Sequence, residues 1–189
     1  MKSVRYLFKA FLVEDHWGHA GGFLFAVVAL TGGAVYMSLA PARADGAAAA
    51  VFDIKMPAGY RDWRLISVAH EEGNLNDLRA ILGNDIAIKA YREGRLPFPD
   101  GAIIARLAWN YVPSEENNKV FGRTQSFVAG AATNVQFMVK DSRKYAATGG
   151  WGFAQFNDGK PVDEAGLSGC YACHVPVKDR DFVFTRYAP

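Results

Sequence analysis

Cys170-Tyr171-Ala172-Cys173-His174 carries both cysteines of the 189-residue chain. Cys-x-x-Cys-His is the attachment pattern of a c-type haem. The two thiols form thioethers with the haem vinyl groups, and the adjacent imidazole coordinates the iron. On a helix, positions 170, 173 and 174 share one face. One short element can therefore grip an edge and one side of a flat macrocycle. Other uses of the pair fit less well. A four-cysteine zinc site needs a second pair, which the chain lacks. A thioredoxin-like dithiol usually opens a helix within a βαβ pattern, and none is visible. A disulfide across so short a loop is strained. The expectation is one covalently attached haem c on Cys170 and Cys173, with His174 as metal ligand.

The elements that must position this motif are mostly strands. Trp63 to His70 reads as a strand, Glu71 to Asp77 as a loop, and Leu78 to Leu82 as a second strand. Asn84-Asp85 can cap a helix running to Glu93, which Gly94 ends. Pro97, Pro99, Asp100 and Gly101 make a turn. Ala102 to Trp109 is apolar and rich in strand formers. Pro113 to Lys119 reads as a polar loop. Phe127 to Val128 and Asn134 to Lys140 suggest two further strand segments. Asp141-Ser142 can cap a short helix to Ala147, Trp151 to Phe156 reads as a strand, and the haem helix spans roughly 165–174. The fold class is α+β, an antiparallel β-sheet with short helices and a C-terminal haem-binding helix. Small electron-carrier cytochromes are all-helical, with the motif near the N-terminus and a Met ligand after it. Here neither Met nor His follows His174, so any sixth iron ligand comes from upstream.

The N-terminus agrees with an exported cytochrome. Lys2, Arg5 and Lys9 precede an uncharged apolar run at 21–40, and Ala42-Arg43-Ala44 is an Ala-x-Ala cleavage pattern. Residues 1–44 are expected to be a signal peptide, 45–58 a lead-in and 59–189 the haem domain, in the periplasm. The run is also long enough to span a bilayer. An uncleaved membrane anchor is therefore the alternative. Cleavage removes Lys2, Arg5, Lys9 and Arg43 from 21 basic residues, and Glu14 and Asp15 from 19 acidic ones, leaving 17 of each. A neutral body gives no electrostatic case for nucleic acid.

Four stretches together resemble the cytochrome P-460 family, which includes the cytochromes c′-beta: YRDW at 60–63, LPFPDG at 96–101, VKDSRKYAATGGWGF at 139–153, and GCYACH followed by DRDFVFTRY. The resemblance covers about 58–189. It implies an antiparallel sheet, often a homodimer, and a c-type haem held by a proximal His, here His174, with the opposite iron face open. Family members with a Lys cross-linked to the macrocycle oxidise hydroxylamine. Members lacking it bind nitric oxide or carbon monoxide in apolar pockets. The cross-linking Lys lies six residues after the Asp of the DG turn, a count that lands on Arg106. A guanidinium stays protonated and is a poor nucleophile. The distal Glu of the enzymes corresponds to Gln136, whose amide cannot accept a proton as a carboxylate does. Both departures argue against transferring hydroxylamine oxidation.

Arg106 and Gln136 are the distal candidates. On strand alternation Arg106 shares a face with Ala102, Ile104 and Ala108. That face either covers the haem, with Arg106 donating to an iron ligand or a propionate, or is solvated. Gln136 either reaches an iron ligand or faces solvent. Phe137 and Met138 alternate with it, and Met138 could supply an axial thioether or fill core. His70 is the other histidine of the body, either a sixth ligand or a hydrogen-bonded residue at a strand end. Two functions follow. One is a His-ligated, five-coordinate iron that binds or redox-converts nitric oxide or hydroxylamine, with a redox partner protein. The other is a six-coordinate electron carrier. The sixth ligand separates them.

Overall fold

The computed structural model describes residues 53–188. The signal or anchor segment 1–44, and the lead-in as far as 52, lie outside the described residues. Among the described residues one antiparallel sheet runs in strict chain order, β1-β2-β3-β4-β5-β6. Its strands are β1 (Arg64–Glu71), β2 (Asp77–Gly83), β3 (Ile103–Pro113), β4 (Phe127–Lys140), β5 (Trp151–Asn157) and β6 (Lys160–Pro161). The helices are α1 (Asp85–Glu93), α2 (Glu115–Phe121), α3 (Glu164–Leu167) and α4 (Cys170–His174), none of them long and apolar enough to cross a membrane. This is the α+β architecture expected.

Both faces of the sheet are apolar at its centre. On one, Ile81, Ile104, Trp151 and Phe153 pack with Ala87, Ile88 and Ala90 of α1 and with Val183. On the other, Leu82, Ala105, Leu107, Phe137, Ala154 and Phe156 pack with Tyr60. Strand β3 contributes to both, which explains its nearly unbroken apolar run. Helix α1 is locked to the sheet by its cap. Asn84 Oδ1 accepts from Ala87 N at 3.0 Å and from Ile103 N at 3.1 Å, so one side chain both starts the helix and tethers it to β3. Gly94 closes the helix at φ 61°.

Four local readings need correction. Pro113 to Lys119 is not wholly loop, because α2 forms there. Ser114 Oγ accepts from Asn117 N, Glu115 and Glu116 occupy the positive first turn, and Gly122 ends it. Capping outweighs the missing apolar face, and the helix buries none of its residues. The two segments expected at 127–140 are one strand, since pairing with β3 carries the chain through the small residues 129–132. The helix expected after Asp141 is instead a turn. Asp141 Oδ1 accepts from Arg143 N and Lys144 N, and a single 3-10 turn, Ala146–Thr148, follows. The haem helix breaks at Ser168-Gly169 into α3 and α4.

Beyond Asn110 the register of β3 with β2 ends, and β5 joins β4 only from Val135. The β3–β4 hairpin thus extends past the sheet as a two-stranded arm. Val120, Phe121, Phe127 and Val128 are exposed on it.

Candidate functional site

Helix α4 presents Cys170, Cys173 and His174 to one cavity of about 880 Å³. The three positions share a face, as the spacing requires. Both cysteines are free. Burial, then the charge of Cys173, pushes the Cys170 thiol above its ordinary range. His174 Nδ1 lies 2.6 Å from the carbonyl oxygen of Phe182. A carbonyl only accepts, so Nδ1 carries the proton and Nε2 keeps its lone pair. Burial pushes the imidazole below its ordinary range, against the opposing effect of that hydrogen bond. The neutral ring, the form that ligates a metal, is therefore favoured. Phe153 and Phe184 pack on it with centroids at 5.2 and 5.0 Å.

The Phe182 carbonyl is placed by an unusual backbone. Asp181 and Phe182 are consecutive non-glycine residues in the left-handed region, at φ 51° and 63°. Each costs about 1–2 kcal/mol relative to ordinary backbone, so the surroundings must hold them. The Asp181 carboxylate accepts from Lys140 Nζ at 2.7 and 2.9 Å and from Phe98 N at 2.8 Å. Its carbonyl accepts from Trp151 Nε1 at 2.8 Å. Lys140 Nζ also donates to Gly149 O at 3.1 Å. Gly149 has φ 67°, and a Cβ there would collide with the Phe182 ring.

The sheet forms the facing wall. Arg106 on β3 sits between Ile81 on β2 and Gln136 on β4, and it lines the cavity with Ile104, Gln136 and Met138. Its Nη2 donates to Asp77 Oδ2 and its Nη1 to Asn134 Oδ1, both at 2.7 Å. Asp77 also accepts from Arg79 Nε at 2.7 Å, and Arg79 pairs with Glu71 at 3.1 Å. Burial and the neighbouring Arg79 charge lower the affinity of Arg106 for its proton, while Asp77 and Glu71 oppose them. Arg106 Nε and Thr133 Oγ1 are buried and have no hydrogen-bond partner among the described residues. Both residues line the cavity. Gln136 Nε2 donates to Gln155 Oε1 at 2.6 Å.

The structure thus brings Cys170, Cys173, His174, Arg106 and Gln136 around one space. Met138 joins them. His70 does not. It is flanked by the cavity residues Ala69 and Glu71, and its ring stacks on Tyr111 at 3.9 Å between centroids. Strand alternation puts it on the opposite face, which removes it as a sixth-ligand candidate. Sequence reasoning missed Asp77, Arg79, Asn134 and Thr133. Asn134 was accessible, two residues before Gln136 on the same strand face. Thr133 was not. The β3–β4 register skips it between the pairs Ala108–Asn134 and Trp109–Ala132, and this bulge adds its side chain to the wall.

The residues present fit a haem. One short helix offers two free thiols and a neutral imidazole, the space is of cofactor size, and the opposite wall carries the polar side chains of Arg106 and Gln136. No lysine is among the described residues lining the cavity. A sheet face opposed by a Cys-x-x-Cys-His helix defines a class, α+β proteins that hold a flat cofactor against one face of an antiparallel sheet. Residues 57–185 match the family model Cytochrome P460. The chain belongs to that family, and membership implies a haem cofactor. None of the curated proteins matches the chain.

Proposed function

We propose that this chain is a periplasmic mono-haem c-type cytochrome. In this reading Cys170 and Cys173 hold haem c, His174 ligates the iron, and the opposite iron face is open to nitric oxide or hydroxylamine. The observation that carries the reading is the opposition of His174 to Arg106 across one cavity, with Arg106 Nε lacking a partner. The haem supplies a redox-active iron. The protein supplies orientation and polarity. The Phe182 carbonyl fixes the tautomer of His174. Asp77 and Asn134 hold the Arg106 guanidinium in place, and the second N–H of each terminal nitrogen is left to donate to a small polar ligand. Arg106 stays protonated and Gln136 is an amide, so neither can take a proton from a substrate. That chemistry favours binding, or electron exchange with a redox partner protein, over hydroxylamine turnover. With Arg106 where the enzymes have lysine, the reading includes no Lys–haem cross-link.

Absorption spectra of the ferrous protein with and without carbon monoxide test this. A high-spin spectrum that responds is expected. A low-spin spectrum indifferent to carbon monoxide would overturn it in favour of an electron carrier, a second reading kept because Met138 lines the cavity. A strongly red-shifted ferrous Soret band would mean a cross-linked haem. Two further proposals accompany the reading. Residues 1–44 direct export, as a signal or an anchor. The apolar β3–β4 arm pairs with a second copy of the chain, which sedimentation can check.

A further inference from the structure

We propose that the buried Lys140–Asp181 pair positions the axial histidine, so that a charge pair outside the cavity lining tunes the iron. The inference rests on the reading of His174 as iron ligand and goes beyond it. Asp181 is gripped at both ends. Its carboxylate takes Lys140 Nζ and the Phe98 amide, and its carbonyl takes Trp151 Nε1. The next carbonyl along the chain, that of Phe182, takes His174 Nδ1–H. Only one peptide unit therefore separates the clamp from the histidine. Both residues adopt left-handed φ, so releasing Asp181 lets this backbone relax and carries the Phe182 carbonyl away from Nδ1.

The pair is costly as a mere staple. The two side chains are 5% and 9% exposed, and ion pairs this deep often add little net stability over apolar packing. What such a pair gives is fixed geometry. Its three elements come from separate parts of the chain: Lys140 ends β4, Phe98 follows α1, and Trp151 opens β5. They converge on the loop residue next to the histidine's acceptor. A hydrogen bond to Nδ1–H raises the basicity of the ligating imidazole. Stronger donation favours ferric iron and stiffens the iron–histidine bond.

The test is resonance Raman spectroscopy of the iron–histidine stretch in the ferrous holoprotein, with the reduction potential measured on the same samples. Asp181→Asn should move the stretch to lower wavenumber and raise the potential, and Lys140→Met should shift both in the same direction. Trp151→Phe removes one hydrogen bond of the clamp while keeping an aromatic ring, and should give a smaller shift of the same sign. It decides the matter if the first two variants fail to fold. Variants that melt earlier but leave both readouts at wild-type values would overturn the inference, since a purely structural pair has that signature. If the wild-type iron is six-coordinate, the potential alone decides. Failure of the underlying reading looks different: His174→Ala then leaves the wild-type spectrum unchanged.

Discussion

Two ion pairs border the cavity, one buried and one half-buried, and they are built for opposite ends. On the histidine side the Lys140 ammonium has three N–H groups and three acceptors, the two Asp181 oxygens and Gly149 O. Nothing is left over. On the sheet side the Arg106 guanidinium has five N–H groups. It commits Nη1 to Asn134 and Nη2 to Asp77, and keeps Nε without a partner. The first pair is saturated and can only hold something still. The second is held still but, with one N–H of each terminal nitrogen committed, retains N–H groups without a partner. The same chemistry therefore serves as a clamp in one place and as a reaching group in the other, and the number of partners decides which.

The largest effect should come from removing what both pairs serve. Replacing Cys170 and Cys173 together with Ser is expected to abolish haem that survives denaturing electrophoresis, as read by haem staining. Next is the clamp. Asp181→Ala leaves the Lys140 charge buried and unpaired, and should destabilise by about 3–5 kcal/mol in denaturant titration. Asp77→Ala should cost less, about 1–3 kcal/mol, because Arg106 keeps Asn134 and Arg79 keeps Glu71. Equal losses in the two variants would break the comparison. Arg106→Ala should cost a similar amount of stability, because Asp77 keeps Arg79, and should raise the carbon monoxide stretching frequency of the ferrous complex, since a donor near the ligand is gone. Loss of such a charged hydrogen bond, at about 1.5–3 kcal/mol, corresponds to roughly 10- to 100-fold weaker binding of a polar ligand. An unmoved frequency would remove Arg106 from the site.

The smallest effect concerns acid. The exposed Asp100 carboxylate accepts from Ser142 N and Oγ, at the start of the turn that carries Gly149. Those bonds hold it below its ordinary value of 3.8. The folded state binds its proton less readily than the unfolded chain. Its contribution is therefore full above that value and lost as pH falls through the lowered one. Asp100→Asn should flatten this limb of the stability–pH curve, measured by thermal melts below pH 4.

What was legible in the sequence follows from range. Helix α1 announced itself through Asn84 and Gly94, and the haem motif through five adjacent residues. Alternation, being local, could group Arg106 with Ile104 but left both Arg106 and Gln136 open between the cavity and solvent, and only the register shows them as direct neighbours on one wall. The Asp77–Arg79–Arg106–Asn134 cluster spans three strands, and no single segment reveals it. Lys140 and Asp181 are 41 residues apart, and each alone looks like a surface charge. Helix α2 was hidden by its polar composition, and the continuity of β4 by its run of small residues. His70 could be assigned to a face only once its neighbours were seen in the cavity.

The sheet's strict chain order has a consequence for biogenesis. Every strand pairs with its sequence neighbour, so no pairing waits for a later strand to insert between two earlier ones. The wall bearing Arg106, Thr133 and Gln136 is encoded entirely before Cys170. A chain emerging N-terminus first can zip up this meander while Cys170 and Cys173 are still to come. A haem would then meet a receiving surface already in place, and docking of the Cys-x-x-Cys-His helix would be the closing step of assembly, sealing a mould that the earlier strands have set.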